Sequence, residues 1–174
     1  MSDELPYSDR VQITTGRLDT GERILRHQAL INADLKQVWQ AFTTSQGLMS
    51  FAAPFVKLDF RAGGTWESSY DRDAQAGDPA NIINEILSYL PMEMLSIRIK
   101  QTPPGFPHPK VGKQLWTVTQ FEALDDQHTQ VTTSMLGWQA GPAWEEVFEM
   151  FKRGNALTLG WLYERFEHGP RDWS

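Results

Sequence analysis

Residues Gly141–Glu167 read GPAWEEVFEMFKRGNALTLGWLYERFE, and the spacing of their apolar side chains predicts one long helix. Pro142 stands at a first-turn position, where a missing N–H costs nothing, and Glu145 and Glu146 follow where the helix dipole favours negative charge. At the other end Arg165 and His168 sit near the last carbonyls, and Gly169-Pro170 forbids continuation. At about 100° per residue, Trp144, Val147, Phe148, Phe151, Leu159, Leu162 and Phe166 fall within one stripe, which must be buried. Asn155 and Thr158 lie inside that stripe, and a second seam of Met150, Leu157 and Trp161 runs beside it past Gly154.

Upstream, the patterns are those of strands. Ile24–Ile31 reads as a first strand of the main body, followed by a short helix over Leu35–Phe42 capped by Asp34 and a second opened by Thr44-Ser45 and running to about Phe51. Val56–Phe60 and Thr65–Tyr70 alternate around Gly63-Gly64, a pair suited to a tight reversal. Asn81–Leu90 and Met92–Gln101 make two more strands. Leu95, Ile97 and Ile99 define a dry face in the second, whereas Ile82-Ile83 and Ile86-Leu87 leave the face of the first open. The prolines of Thr102–Lys113 predict a long loop that is neither helix nor central strand, and Leu115–Leu124 with His128–Leu136 closes the set as a hairpin. Residues 1–22 read as an extension, in which Val11 and Ile13 suit an edge strand, residues 23–170 as one domain and 171–174 as a tail. The expected architecture is α+β: an antiparallel sheet gripping one helix, with two short helices closing one end.

Composition narrows the function classes. A chain of 174 residues buries a substantial core unaided, and the absence of cysteine excludes disulfides, iron–sulfur clusters and thiol nucleophiles. A net charge of −6 without a Lys/Arg cluster argues against nucleic-acid or anionic-membrane partners. No apolar run approaches membrane-spanning length and no leader pattern opens the chain, so a cytoplasmic protein is expected.

Ile31-Asn32-Ala33-Asp34 leading into Val38-Trp39, the run Asp59-Phe60-Arg61-Ala62-Gly63-Gly64, and Asn84-Glu85-Ile86 followed by Pro91 resemble the helix-grip START-like superfamily, also called SRPBCC. Within it they are most similar to the branch of the activator of the heat-shock chaperone ATPase, and Phe151-x-x-Gly154-Asn155 resembles a bacterial subgroup of that branch. The resemblance spans Ile24 to Phe166 and implies a cavity between sheet and long helix that takes apolar ligands. The chain departs from the pattern at Ser50-Phe51 and at His128-Thr129, two positions that border the family's pocket.

The candidate chemistry is sparse. His27, His108, His128 and His168 are widely spaced and no paired-ligand helix exists, so no metal is expected. Asp71-Arg72-Asp73 starts like a calcium loop but has Ala76 where glycine is needed and Ile82 where a bidentate acid is needed. Gly63-Gly64 precedes a strand, so it presents no helix N-terminus to a phosphate. No nucleophile elbow is present, and His27 on a strand reads as a half-exposed residue. Glu85 is either an inward carboxylate with acid/base capacity or an outward residue paired with Arg98 or Lys100; Tyr70 is a second weak acid/base candidate.

Asn155 and Thr158 are the strongest pointers to function. A buried amide must bond either to protein groups or to something held in a cavity. Gly154 suggests a close approach at the helix, and Trp66, Tyr70, Trp116, Trp144, Phe148, Phe151 and Leu159 are candidate walls. The expected function is binding of a small hydrophobic or aromatic molecule without a cofactor. Alternatives are a co-chaperone-like module that binds a chaperone partner, and an aromatase-, cyclase- or hydrolase-like enzyme. The Met150, Leu157, Trp161 seam is expected to meet either the N-terminal extension or a second copy in a homodimer.

Overall fold

The computed structural model describes residues 4–174. Its elements are β1 (Val11–Arg17), β2 (Arg23–Ile31), α1 (Leu35–Thr43), α2 (Ser45–Met49), β3 (Phe55–Leu58), β4 (Thr65–Ser69), β5 (Ile82–Leu90), β6 (Met94–Gln101), α3 (Pro109–Gly112), β7 (Trp116–Ala123), β8 (Thr129–Leu136) and α4 (Pro142–His168). The strands form one antiparallel sheet in the order β1-β2-β8-β7-β6-β5-β4-β3. Every neighbouring pair is consecutive in the chain except β2 with β8, which joins the first hairpin to the rest. This is the helix-grip arrangement, with α1 and α2 in the connection that carries the chain from β2 to the far edge of the sheet at β3.

The edge strand expected around Val11 and Ile13 is β1, paired with β2 from Val11↔Ala29 to Arg17↔Arg23. It falls within the segment read as an extension, of which residues 1–3 lie outside the described residues. The proline-rich connection contains one helical turn, α3, that the loop reading omitted; Pro109 occupies its first position, where no N–H is needed. Two register shifts in β5, between Ile83 and Asn84 and between Ile86 and Ser88, account for the paired apolar neighbours that blurred its face.

Helix α4 does not lie centrally on the sheet. It packs on β2 and β1, and three polar ties fix its register along β2: Arg23 to Glu145 (2.5 and 3.1 Å), His27 Nε2 to the carbonyl of Lys152 (2.9 Å), and Asn32 to Glu167. Nine strand residues advance roughly 30 Å, and the 22 helix residues between Glu145 and Glu167 rise roughly 33 Å, so the pins keep step. The Arg23 guanidinium also holds the Glu145 carboxyl below its ordinary pKa through their hydrogen bonds. His27 corrects the half-exposed reading, because it is fully buried between β2 and α4.

At the C-terminal end of the second seam of α4, Trp161 is covered by the chain itself. The ring of Trp161 meets Trp173 edge-on at 5.6 Å, and the Arg171 guanidinium lies over both rings. Trp173 Nε1 donates to the carbonyl of Met49 at 2.7 Å, so residues 171–174 clasp α2. On the same helix the Tyr7 ring is pressed against Gly160, where a Cβ would overlap it. Gly154, expected to permit a close approach, has nothing within 4 Å of its Cβ position; the crowded glycine is Gly160. Among the described residues no helix is long and apolar enough to cross a membrane.

Candidate functional site

Because α4 leans toward β1 and β2, it stands off the middle strands and leaves a cavity of about 440 Å³. The sheet wall is set by strand parity. Trp66 and Ser68 of β4, Ile82 and Asn84 of β5, Leu95, Ile97 and Ile99 of β6, Thr117 and Thr119 of β7, and Thr133 and Met135 of β8 all face it. The helix wall comprises Met150, Phe151, Gly154, Asn155, Thr158 and Leu159, successive positions of the predicted stripe and the edge of the second seam. Phe42 of α1 and Ala52-Ala53 after α2 close one end, and Thr102, Pro103 and Phe106 of the proline loop close the other.

Tyr70, 62 % exposed, and the exposed Gly154 mark the opening. The loop beside it is fastened to α4 by two contacts: the Phe106 ring meets Phe151 at 5.9 Å, and His108 Nε2 pairs with the Glu146 carboxylate at 2.7 Å. An exposed phenol at the opening is uncharged at neutral pH, so Tyr70 brings no charge to the site.

Six of the nine residues proposed as ligand contacts meet at this cavity: Trp66, Tyr70, Phe151, Asn155, Thr158 and Leu159. Three do not. Trp116 precedes inward Thr117 on β7 and so points to the outer face, where Arg98 lies over its ring at 5.8 Å. Trp144 and Phe148 belong to the first turns of a helix about 40 Å long, which outruns the cavity. They pack instead on a separate cluster with Leu25, Leu115, Trp138 and Val147, and the Phe148 ring meets Trp138 at 4.8 Å and the Arg23 guanidinium at 3.7 Å.

Glu85 takes the outward alternative. It alternates with inward Asn84 and Ile86, and its carboxylate meets Lys100 Nζ at 2.9 Å, so it is no acid/base group of the cavity. His27 lies behind the wall rather than on it: Nε2 must donate to the Lys152 carbonyl, which leaves Nδ1 as a buried acceptor without a partner among the described residues. Burial pushes the His27 pKa below its ordinary value, against the opposing pull of that hydrogen bond. The two positions that depart from the family pattern have internal roles: Phe51 is buried in the core, and Thr129 donates to the carbonyl of Ala33 at 2.9 Å. Among the described residues no three His, Asp or Glu side chains converge as metal ligands would.

The polar points of the lining are amides, hydroxyls and the indole N–H of Trp66, which is buried without a partner among the described residues. Asn155 donates to the sulfur of Met135 at 3.1 Å, and the Thr158 hydroxyl donates back to the Gly154 carbonyl at 3.0 Å. On the sheet wall the Thr119 and Thr133 hydroxyls pair at 3.3 Å. Asn84 and Ser68, 9 % and 7 % exposed, have no side-chain hydrogen-bond partner among the described residues. Neither was singled out as a site residue from sequence. Alternation with Ile82 and Ile86 places Asn84 inward, but the β5 irregularities masked that parity.

A family model described as Activator of Hsp90 ATPase homolog 1-like protein matches residues 32–167. No curated protein matches the chain. Among solved structures, the chain is similar to the Aha1 dimer from Colwellia psychrerythraea, with a TM-score of 0.65, 17 % identity, and coverage of 84 % of this chain and 97 % of that one. It is also similar to CalU16 from Micromonospora echinospora, with a TM-score of 0.64, 19 % identity, and coverage of 93 % and 86 % respectively. A conserved protein of unknown function from Enterococcus faecalis aligns with a TM-score of 0.65 at 13 % identity over 92 % of this chain and 80 % of its own. At these identities the likeness is one of fold.

Proposed function

The chain belongs to the Activator of Hsp90 ATPase homolog 1-like family, and we propose that it binds a small, largely apolar molecule in the cavity between the sheet and α4. The observation that carries this reading is the cavity itself. Protein interiors pack to crystal-like density with few voids larger than a water molecule, whereas this one leaves about 440 Å³ lined mainly by aliphatic and aromatic groups. That volume lies in the range of small-molecule sites, and the mixture of apolar walls with a few amides and hydroxyls is what orients such a ligand.

The reading is favoured over a surface-only chaperone-binding role because Asn155 and Thr158 line a connected interior space. It is favoured over catalysis at Glu85 because that carboxylate pairs with Lys100 on the outer face, and of the two acid/base candidates Tyr70 alone meets the cavity, at its opening. A homodimer is a further proposal, supported by the solved neighbour described as a dimer. Thermal melts with a panel of uncharged hydrophobic compounds test the binding role. A ligand at 100 times its Kd stabilises by about 2.7 kcal/mol, and each kcal/mol moves Tm by roughly 2–4 °C in a domain of this size, so a clear shift is expected. A flat response across the panel contradicts the proposal.

A further inference from the structure

We infer that the cavity takes an uncharged ligand and that Asn84, on the sheet wall, hydrogen-bonds a hydroxyl or carbonyl group of that ligand; this rests on the binding role proposed above and gives it a chemical class. The first ground is the lining. None of its side chains is a carboxylate, ammonium, guanidinium or imidazole, and its one titratable group, the Tyr70 phenol, stands at the opening. The nearest charges on these strands are turned away: Glu85 pairs with Lys100, and Arg98 covers Trp116 on the outer face. An anion or cation entering this space gives up its hydration and meets no opposite charge.

The second ground is Asn84 itself. It is nine-tenths buried, it lines the cavity, and its partners across the strands are Trp66 on one side and Ile99 on the other. Neither hydrogen-bonds its amide: Ile99 is apolar, and the Trp66 indole N–H has no partner among the described residues. Asn81, three residues earlier, shows what a structural asparagine does here: its amide donates to Glu67 Oε1 and to the carbonyl of Gln75, both at 2.8 Å. Asn84 takes no part in that network and has no side-chain hydrogen bond among the described residues. An amide is both donor and acceptor, so it satisfies a hydroxyl or a carbonyl equally and gives a carboxylate no counter-charge. Ser68, equally buried on the adjacent strand, supplies a second neutral contact on the same wall.

The test is a fluorescence titration of the parent and Asn84→Leu with pyrene, 1-hydroxypyrene and pyrene-1-carboxylate. The parent is expected to bind 1-hydroxypyrene about five- to tenfold more tightly than pyrene, the increment of one neutral hydrogen bond, and the carboxylate most weakly. Asn84→Leu, with Asn84→Ala as the second variant should the leucine chain not fold, is expected to keep pyrene binding and to lose the hydroxyl preference. Retention of the preference in the folded variant, or parity of the carboxylate with the neutral probes, overturns the inference. Pyrene binding without a hydroxyl preference in the parent overturns only the ligand class. Failure of all three probes to bind the parent overturns the binding role as well.

Discussion

The amide nitrogen of Asn155 lies 3.1 Å from the sulfur of Met135, so the helix wall and the sheet wall of the cavity are joined there by an N–H···S contact. A thioether is a weak acceptor, and the bond is therefore one that a ligand oxygen replaces at little cost. On the proposed binding role, the two alternatives open at Asn155, a bond to protein and a bond to a ligand, describe the same amide before and after binding.

Asn155→Leu follows directly. The empty protein is expected to change in stability by less than about 1 kcal/mol, because only a weak bond is lost, while the ligand-induced rise in Tm across the hydrophobic panel departs from the parent's. Urea melts and thermal melts with the panel check the two halves. Equal ligand-induced shifts in Tm for variant and parent count against a role for Asn155.

The two helix glycines are expected to respond in opposite directions. Gly154→Ala gains roughly 0.5–1 kcal/mol, since its Cβ enters open space and alanine is the better helix former. Gly160→Ala loses about 1–3 kcal/mol, because Tyr7 must be displaced from α4. Urea midpoints compare them; stabilisation by both substitutions would contradict the packing of Tyr7.

A fold that leans on β2 carries a pH signature at His27. Burial lowers its pKa in the folded chain from the ordinary 6.5. Above that value the imidazole is neutral in both states and the fold keeps its full stability. As pH falls below it the unfolded chain takes the proton first, so stability declines until the folded pKa is reached. Urea melts between about pH 8 and about pH 5 should therefore show a smaller acid loss for His27→Gln than for the parent. Parallel losses would exclude a buried neutral His27.

Removing the tail's anchor should loosen the end of α4. Trp173→Ala deletes both the edge contact with Trp161 and the hydrogen bond to the Met49 carbonyl, an expected loss of about 1–3 kcal/mol. Thermal melts measure it, and an unchanged Tm would mean that the tail does not hold α2.

The sequence made α4 legible because its signals agree: Pro142 at the start, Gly169-Pro170 after the end, and a stripe at helical spacing between them. The sheet was legible at β6, where Leu95, Ile97 and Ile99 keep strict alternation, and less so at β5, where irregularities break it. Which aromatics meet the cavity was legible only in part. Trp144 and Phe148 share the stripe with Phe151, and nothing local tells that the cavity ends between them. Asn84 and Ser68 went unmarked because what sets them apart is the lack of a side-chain partner, which depends on how β4, β5 and β6 pair. Gly160 reads like Gly154 until Tyr7, 153 positions upstream, is seen against it.

Methyl-labelled NMR spectra recorded while 1-hydroxypyrene is added test the central claim most directly, because they report which side chains the probe touches. Shifts are expected at Leu95, Ile97, Ile99 and Leu159, which line the cavity, and not at Leu25 or Val147 of the second cluster. Shifts confined to the exposed Leu30, Leu90 and Leu124, or no shifts at all, would contradict binding between the sheet and α4.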